Sequence, residues 1–197
     1  MSYSPSTSIA FPVTIGSGLY VDVVAEGHMI YAAKLFAQEG AKVVVADVNP
    51  QAGSETVAAI QAAGGEALFV LTDVSQAAQV EQLVSETVKQ FGKLDILFNN
   101  AAIQLHGIDK RAHELDEEIW DKIQSVNLKG VWLCSKYAIL QFLKQGNGGV
   151  IINNASPTGL LGVAPNDTAY SSSKGGVYGL TRVMAASYAK DKIRVNA

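Results

Sequence analysis

Ala41-Lys42-Val43-Val44-Val45-Ala46-Asp47-Val48-Asn49-Pro50 is the stretch that decides the fold of this chain. Its first seven residues form a β-branched run without polar alternation, the pattern of a strand buried on both faces of a sheet. Asp47 closes the run, and Asn49-Pro50 then supplies a capping side chain followed by proline at the first helical position. The helix this predicts runs to about Ala63 and stops at Gly64-Gly65.

The alternation continues outward. Ala67 to Leu71 reads as a second strand, closed by Thr72-Asp73. Val80, Leu83, Val84, Val88 and Phe91 form the stripe of an amphipathic helix that Gly92 ends. Leu94 to Phe98 predicts a strand ending in Asn99-Asn100, and Glu117 to about Gln145 a long helix. Val150 to Ile152 is a further strand, a helix follows from about Thr168 to Ala189, and Ile193 to Ala197 opens another apolar run. Toward the N-terminus, Ile9 to Ile15 is the would-be first strand, although Pro12 removes an N–H that a central strand needs. Strands alternating with helices predict an α/β fold: a doubly wound parallel sheet in a three-layer αβα arrangement, expected as one domain over residues 1–197. Ligands of such sheets sit beyond the carboxyl ends of the strands. That directs attention to Thr14–Gly18, Asp47, Asp73, Asn99–Ala102 and Asn153–Gly159.

Composition excludes several classes. With 197 residues, 48% of them apolar and 17% charged, the chain can bury a core and is not disordered. A balance of 15 basic and 18 acidic residues gives no electrostatic footprint for nucleic acid or an anionic membrane. The single cysteine, Cys134, rules out an internal disulfide and a multi-thiolate zinc site, and no metal is expected. No apolar run approaches the ~20 residues needed to span a bilayer, and Met1 to Ser8 lacks the basic start of a secretory signal. A cytoplasmic protein is the expectation.

Four residues carry the chemistry. Tyr170 and Lys174 lie four apart on a predicted helix, so both point from one face. A tyrosine with a pKa near ~10 is a poor base, and an ammonium one turn away favours the phenolate. Tyr188 and Lys192 repeat the spacing, where a helix-end lysine facing the dipole is the plainer reading. Ser156, directly after a buried strand, can hydrogen-bond a substrate oxygen opposite the tyrosine, or make only a local turn bond. Asn127 sits mid-helix beside Ile119, Ile123 and Val126, where its amide needs a partner, or caps or kinks the helix. Asp47 suits a ribose 2′-hydroxyl and repels a 2′-phosphate, favouring NAD over NADP, or it opens a solvated turn.

Taken in order, Asp47, Asp73-Val74, Asn99-Asn100-Ala101-Ala102, Asn127, Ser156 and Tyr170-Ser-Ser-Ser-Lys174 resemble the short-chain dehydrogenase/reductase family over roughly residues 32–197. The resemblance implies a Rossmann sheet and hydride transfer between a nicotinamide cofactor and a small alcohol or carbonyl. It gives Tyr170 the acid/base role and Ser156 the placing of the substrate oxygen. Lys174 would depress the tyrosine's pKa and hold the nicotinamide ribose, and Asn127 would hold a water in a proton relay. Asp73 and Val74 would border the adenine, with Asn99 and Ala101 at the cofactor. A homodimer or homotetramer through the helices at 112–145 and 168–190 is also implied. A catalytically inert, truncated relative serving as a scaffold is the alternative.

The sequence departs from the family at two places. The cofactor-binding loop Gly16-Ser17-Gly18 lacks the third glycine of the T-G-x-x-x-G-x-G pattern, and alignment back from Leu35-Phe36-Ala37 lands on Glu26-Gly27-His28, where only Gly27 matches. Glu26 in a loop there would set an anion near the phosphates, and His28 reads as an exposed loop histidine. At the other end, Arg194-Val195-Asn196-Ala197 stands where family members continue into a further strand, helix and strand. Ala102 replaces a usual glycine, and Pro157 restricts Ser156 to an extended backbone.

Overall fold

Val43, Val44 and Val45 are each fully buried because both faces of their strand are covered. The computed structural model describes the backbone of residues 9–14 and 25–197, and side chains from residue 32 onward. The elements in chain order are β1 (Ile9–Thr14), α1 (Ala25–Gln38), β2 (Ala41–Asp47), α2 (Pro50–Ala62), β3 (Ala67–Leu71), α3 (Ala77–Phe91) and β4 (Ile96–Asn99). They continue with α4 (Glu117–Gln124), α5 (Val131–Gln145), β5 (Gly149–Asn153), α6 (Thr168–Tyr188) and β6 (Ile193–Asn196). The strands form one parallel sheet in the order β3-β2-β1-β4-β5-β6. Strand order reverses between β1 and β4, which opens the crevice where doubly wound sheets bind ligands.

The two sheet faces build separate cores. Val43 and Val45 of β2 pack with Ala33 of α1 and Ile60 of α2, joined by Phe69, Ile96 and Phe98. The alternate residues Val44 and Ala46 meet Leu83 of α3 on the opposite face. On that same side Leu97 and Ile151 pack with Val80 of α3, Phe142 of α5 and Met184 of α6. Burying a side chain of Phe142's or Ile151's size is worth roughly 1.5–3 kcal/mol.

Local signals set most of the boundaries. Asn49 caps α2, its Oδ1 accepting from the amides of Gln51 at 3.0 Å and Ala52 at 3.2 Å. Pro12 falls in β1 opposite Val44, in the central strand after all. The β4 ladder reaches only Val13 and Thr14, so at Pro12 the strand has a ladder partner on one side, where a missing N–H is tolerated. β4 starts at Ile96, later than the apolar run predicts. Gln145 accounts for this by standing in for a neighbouring strand: its Oε1 accepts from Leu94 N at 2.9 Å and its Nε2 donates to Leu94 O at 2.8 Å.

The expected unbroken helix from Glu117 to Gln145 is interrupted. Residues Ser125–Gly130 form a wider π-type turn between α4 and α5. Such turns insert a residue into the helix and redirect side chains, commonly beside functional sites. Asn127 lies inside this one.

Candidate active site

The site begins where β5 ends. After Asn153 the chain stays extended through Ser156 (φ −154°, ψ 144°), as the following proline demands, and Pro157–Gly159 then close a single 3₁₀ turn. The Ser156 hydroxyl caps that turn, accepting from Thr158 Oγ1 at 3.0 Å. Backbone contact presses the turn onto α6: a Cβ on Gly159 would lie 2.5 Å from both the amide nitrogen of Gly175 and the carbonyl carbon of Lys174. Only glycine permits that approach, so the last residue of the turn fixes how closely Ser156 stands to the helix.

α6 brings Tyr170 and Lys174 to the same place. The Ser156 side chain stands within interaction range of the Tyr170 hydroxyl and favours its phenolate. The Lys174 ammonium lies 5.8 Å from the centre of the Tyr170 ring and donates to the Asn154 carbonyl at 2.6 Å. That carbonyl belongs to a well-tied residue, since Asn154 N donates to Asn99 O at 2.8 Å and Asn154 Nδ2 to Asn100 Oδ1 at 2.6 Å. Lys174 is therefore anchored to the joined ends of β4 and β5.

Burial dominates the electrostatics. It holds Lys174 down to about 8, well below an ordinary lysine. It also raises the Tyr170 phenol above its usual value; the nearby Ser156 side chain opposes that shift and the Asp167 carboxylate adds to it. The depression expected from Lys174 is thus not the net outcome. Removing a phenol from water costs the phenolate more than the nearby Ser156 side chain returns.

The side-chain amide of Asn127 bonds to protein groups. Its Oδ1 accepts from Ile103 N at 2.8 Å, and its Nδ2 donates to Ile103 O at 2.8 Å and to Ser173 Oγ at 3.2 Å. Both amide protons are thereby committed to protein atoms. Ser173 Oγ in turn donates to Tyr170 O at 2.6 Å, so Asn127 ties the loop after β4 to the helix carrying the tyrosine. Sequence reasoning missed Ser173, which lies within α6, and gave no role to Asn153, Asn154 or Gly159, although they fall in the Asn153–Gly159 stretch to which it directed attention.

The remaining candidates lie along the carboxyl edge of the sheet. Asp47 is buried at the end of β2, its Oδ1 accepting from Asn49 N at 2.8 Å; burial pushes its pKa up against the nearby backbone amides. Asp73 Oδ1 accepts from the amide and hydroxyl of Ser75 at 2.9 and 2.7 Å. Val74 is buried against Gly130, and Ala101 is buried in the same core. Asn99 Nδ2 donates to Asn153 Oδ1 at 2.8 Å and Ser135 Oγ at 3.1 Å, bridging β4 to β5 and α5. Gly16, Ser17 and Gly18 lie outside the described residues. Glu26, Gly27 and His28 fall in the first turn of α1 rather than in a loop. No group of His, Cys, Asp or Glu among the described residues could hold a metal ion, and no described helix is long and apolar enough to cross a membrane.

Comparison with known proteins places this geometry in context. A family model described as enoyl-(acyl carrier protein) reductase matches residues 29–197. An uncharacterized oxidoreductase of Thermotoga maritima is 49% identical over 84% of the chain, which spans 63% of that relative's length. The 2,5-dichloro-2,5-cyclohexadiene-1,4-diol dehydrogenase of Sphingobium indicum is 42% identical over 92% of the chain and 71% of its own length. A short-chain type dehydrogenase/reductase from Mycobacterium marinum superposes with a TM-score of 0.85 at 30% identity, covering 95% of this chain and 72% of that one. With its parallel sheet, its Ser–Tyr–Lys cluster and these relatives, the chain belongs to the short-chain dehydrogenase/reductase family.

Proposed function

We propose that the described residues form the dinucleotide-binding and catalytic domain of an NAD(P)-dependent oxidoreductase that moves hydride between nicotinamide and an alcohol or carbonyl of a small molecule. The observation that carries this reading is the gathering of Ser156, Tyr170 and Lys174, with the Lys174 ammonium 5.8 Å from the centre of the Tyr170 ring and anchored on the Asn154 carbonyl. The Sphingobium relative's name as a diol dehydrogenase supports an alcohol as one side of the reaction. Nothing in the site favours the inert-scaffold alternative.

The residues present fit a dinucleotide by the chemistry of their donors and acceptors. Asp47, whose carboxylate accepts locally from Asn49 N, would hold the hydroxyls of the adenosine ribose. It would repel a 2′-phosphate, so NAD is preferred over NADP. Gly16, Ser17 and Gly18 would face the phosphates, Asp73, Val74 and Ala101 would border the adenosine half, and Lys174 would hold the nicotinamide ribose. The nicotinamide, when bound, supplies or accepts the hydride.

The chain's own residues handle the proton. Tyr170, kept protonated by burial, is poised to give its Oη proton to a carbonyl oxygen, and in the reverse direction it takes the alcohol proton back. Ser156 Oγ holds that oxygen beside the phenol. The Lys174 cation opposes the burial penalty whenever the phenolate forms. General acid–base assistance of this kind is worth ~10²–10⁴ in rate.

The outer faces of α5 and α6 support a homodimer or homotetramer, since Trp132, Leu140, Leu143 and Val183 stand exposed there. A cytoplasmic location agrees with a single, buried thiol whose pKa is pushed up to about 12. Fluorescence titration with NADH and NADPH tests the nucleotide reading. NADH should bind, and more tightly than NADPH; binding of neither would overturn it.

A further inference from the structure

α6 begins without the cap that its own sequence offers. Asp167 stands just before the first helical residue, where an aspartate ordinarily accepts the amides two and three positions on. Its side chain makes no such bond. Asp167 Oδ2 accepts instead from Gln104 Nε2 at 2.7 Å. The two orphan amides are taken by a residue 60 positions upstream: Asp109 Oδ1 accepts from Ala169 N at 3.1 Å and Asp109 Oδ2 from Tyr170 N at 2.9 Å. Asp109 is only 1% exposed, so the charged ends of those bonds are withdrawn from water. A carboxylate at the positive end of a helix gains from both the amides and the dipole.

Asp109 is itself firmly placed. Its own amide donates to Leu105 O at 2.8 Å, and Ile108 N donates to the same carbonyl at 3.0 Å. Leu105 is buried with Ile123 and Ala169 beneath the helix start. Earlier in the same loop, Ile103 exchanges both its backbone groups with Asn127. One loop therefore grips the π-type turn through Ile103, the residue before α6 through Gln104, and the first turn of α6 through Asp109.

We propose that Asp109 is a positioning residue for Tyr170, holding the backbone of the acid/base tyrosine so that its phenol stays beside Ser156. The inference rests on the acid/base reading of Tyr170. The amide Asp109 binds is that of Tyr170 itself, and no helical carbonyl is available to replace the carboxylate. Asp167 is committed to Gln104 and does not serve as a substitute. Loss of Asp109 leaves the Ala169 and Tyr170 amides without partners in a buried setting, so the first turn of α6 opens and the phenol leaves its place.

The test compares wild type, Asp109→Ala and Asp109→Asn, with NAD and a secondary alcohol, alongside amide hydrogen exchange. Asp109→Ala is expected to lower kcat about 10-fold or more, the scale of one lost cap, with the KM for NAD changed less than about two-fold. Exchange at Ala169 and Tyr170 should accelerate by a similar factor, while exchange in α2 stays as in wild type. Asp109→Asn keeps one acceptor oxygen for the two amides and should fall between wild type and Asp109→Ala in both readouts. Unchanged kcat and exchange in Asp109→Ala would overturn the proposal. So would a loss of protection spread equally over α2, which is the signature of general destabilisation. A wild type that binds NADH but turns over no alcohol would refute the acid/base reading instead, and the exchange comparison would then still decide whether Asp109 holds the Tyr170 amide.

Discussion

The two halves of the sheet finish their strands in different ways. Beyond β4 and β5, buried polar side chains reach across elements: Asn99 to Asn153 and Ser135, Asn153 to Thr181, Asn127 to Ile103 and Ser173, and Lys174 to Asn154. Beyond β2 and β3, the described side chains bond to groups within six residues along the chain, as in Asp47 to Asn49, Asp73 to Ser75 and Gln79 to Asp73. The half proposed to be catalytic is cross-linked by side chains, while the half proposed for the adenosine is held by apolar packing and local side-chain bonds. Fixing reacting groups in place before substrate arrives is what general acid–base chemistry requires. Apolar packing suffices to shape a nucleotide cleft.

Breaking the cross-links should therefore cost more than breaking the local turns. The largest effect is expected for Asn99→Leu, which strands the buried Asn153 amide oxygen and the Ser135 hydroxyl. About 3 kcal/mol of stability should be lost, read as a lower urea midpoint with an unchanged slope. Gly159→Ala comes next, because its Cβ would meet α6 backbone at 2.5 Å. Overpacking of this kind costs about 1–3 kcal/mol, and kcat should fall as the Ser156 turn lifts away from Tyr170.

A third prediction concerns pH. The folded Lys174 pKa of about 8 lies below its unfolded value of 10.5, so the unfolded chain binds more protons between them. The corresponding stability is fully present at high pH and is lost as pH falls through about 8. Tyr170, raised above its unfolded value of 10.0, works in the opposite sense above that pH. The urea midpoint should consequently climb between pH 7 and about 9.5, by about 2 kcal/mol for a shift of this size. In Lys174→Met that climb should vanish, and its persistence would assign it to other groups. The smallest change in stability is expected for Asp47→Asn, within about 0.5 kcal/mol, since the amide oxygen can still accept from Asn49 N. The same variant should bind NADPH relatively better than wild type, which nucleotide titration would register.

What could be read in the sequence follows the same division. The β2 run and the Asn49-Pro50 start of α2 were legible because their causes are local: continuous apolar character, a capping amide and a fixed proline φ. Tyr170, Lys174 and Ser156 were legible as a spaced set. The turn at Ser125–Gly130 was legible only as the alternative that Asn127 kinks the helix, because the bonds Asn127 makes there run to the backbone of Ile103, 24 residues away. The direction of the Tyr170 shift was misread for a related reason. Spacing along a helix places a cation nearby, but the depth of burial belongs to the assembled fold. Asp109 carries no motif, and its role emerges only once the loop after β4 is laid against α6.

Turnover by Tyr170→Phe, measured at matched cofactor occupancy with NAD and a secondary alcohol or with NADH and its carbonyl, tests the central claim most directly. The Ser–Tyr–Lys account predicts that NADH still binds with the wild-type Kd while kcat falls at least about 100-fold. Turnover within a few-fold of wild type would contradict it and remove Tyr170 from the chemistry.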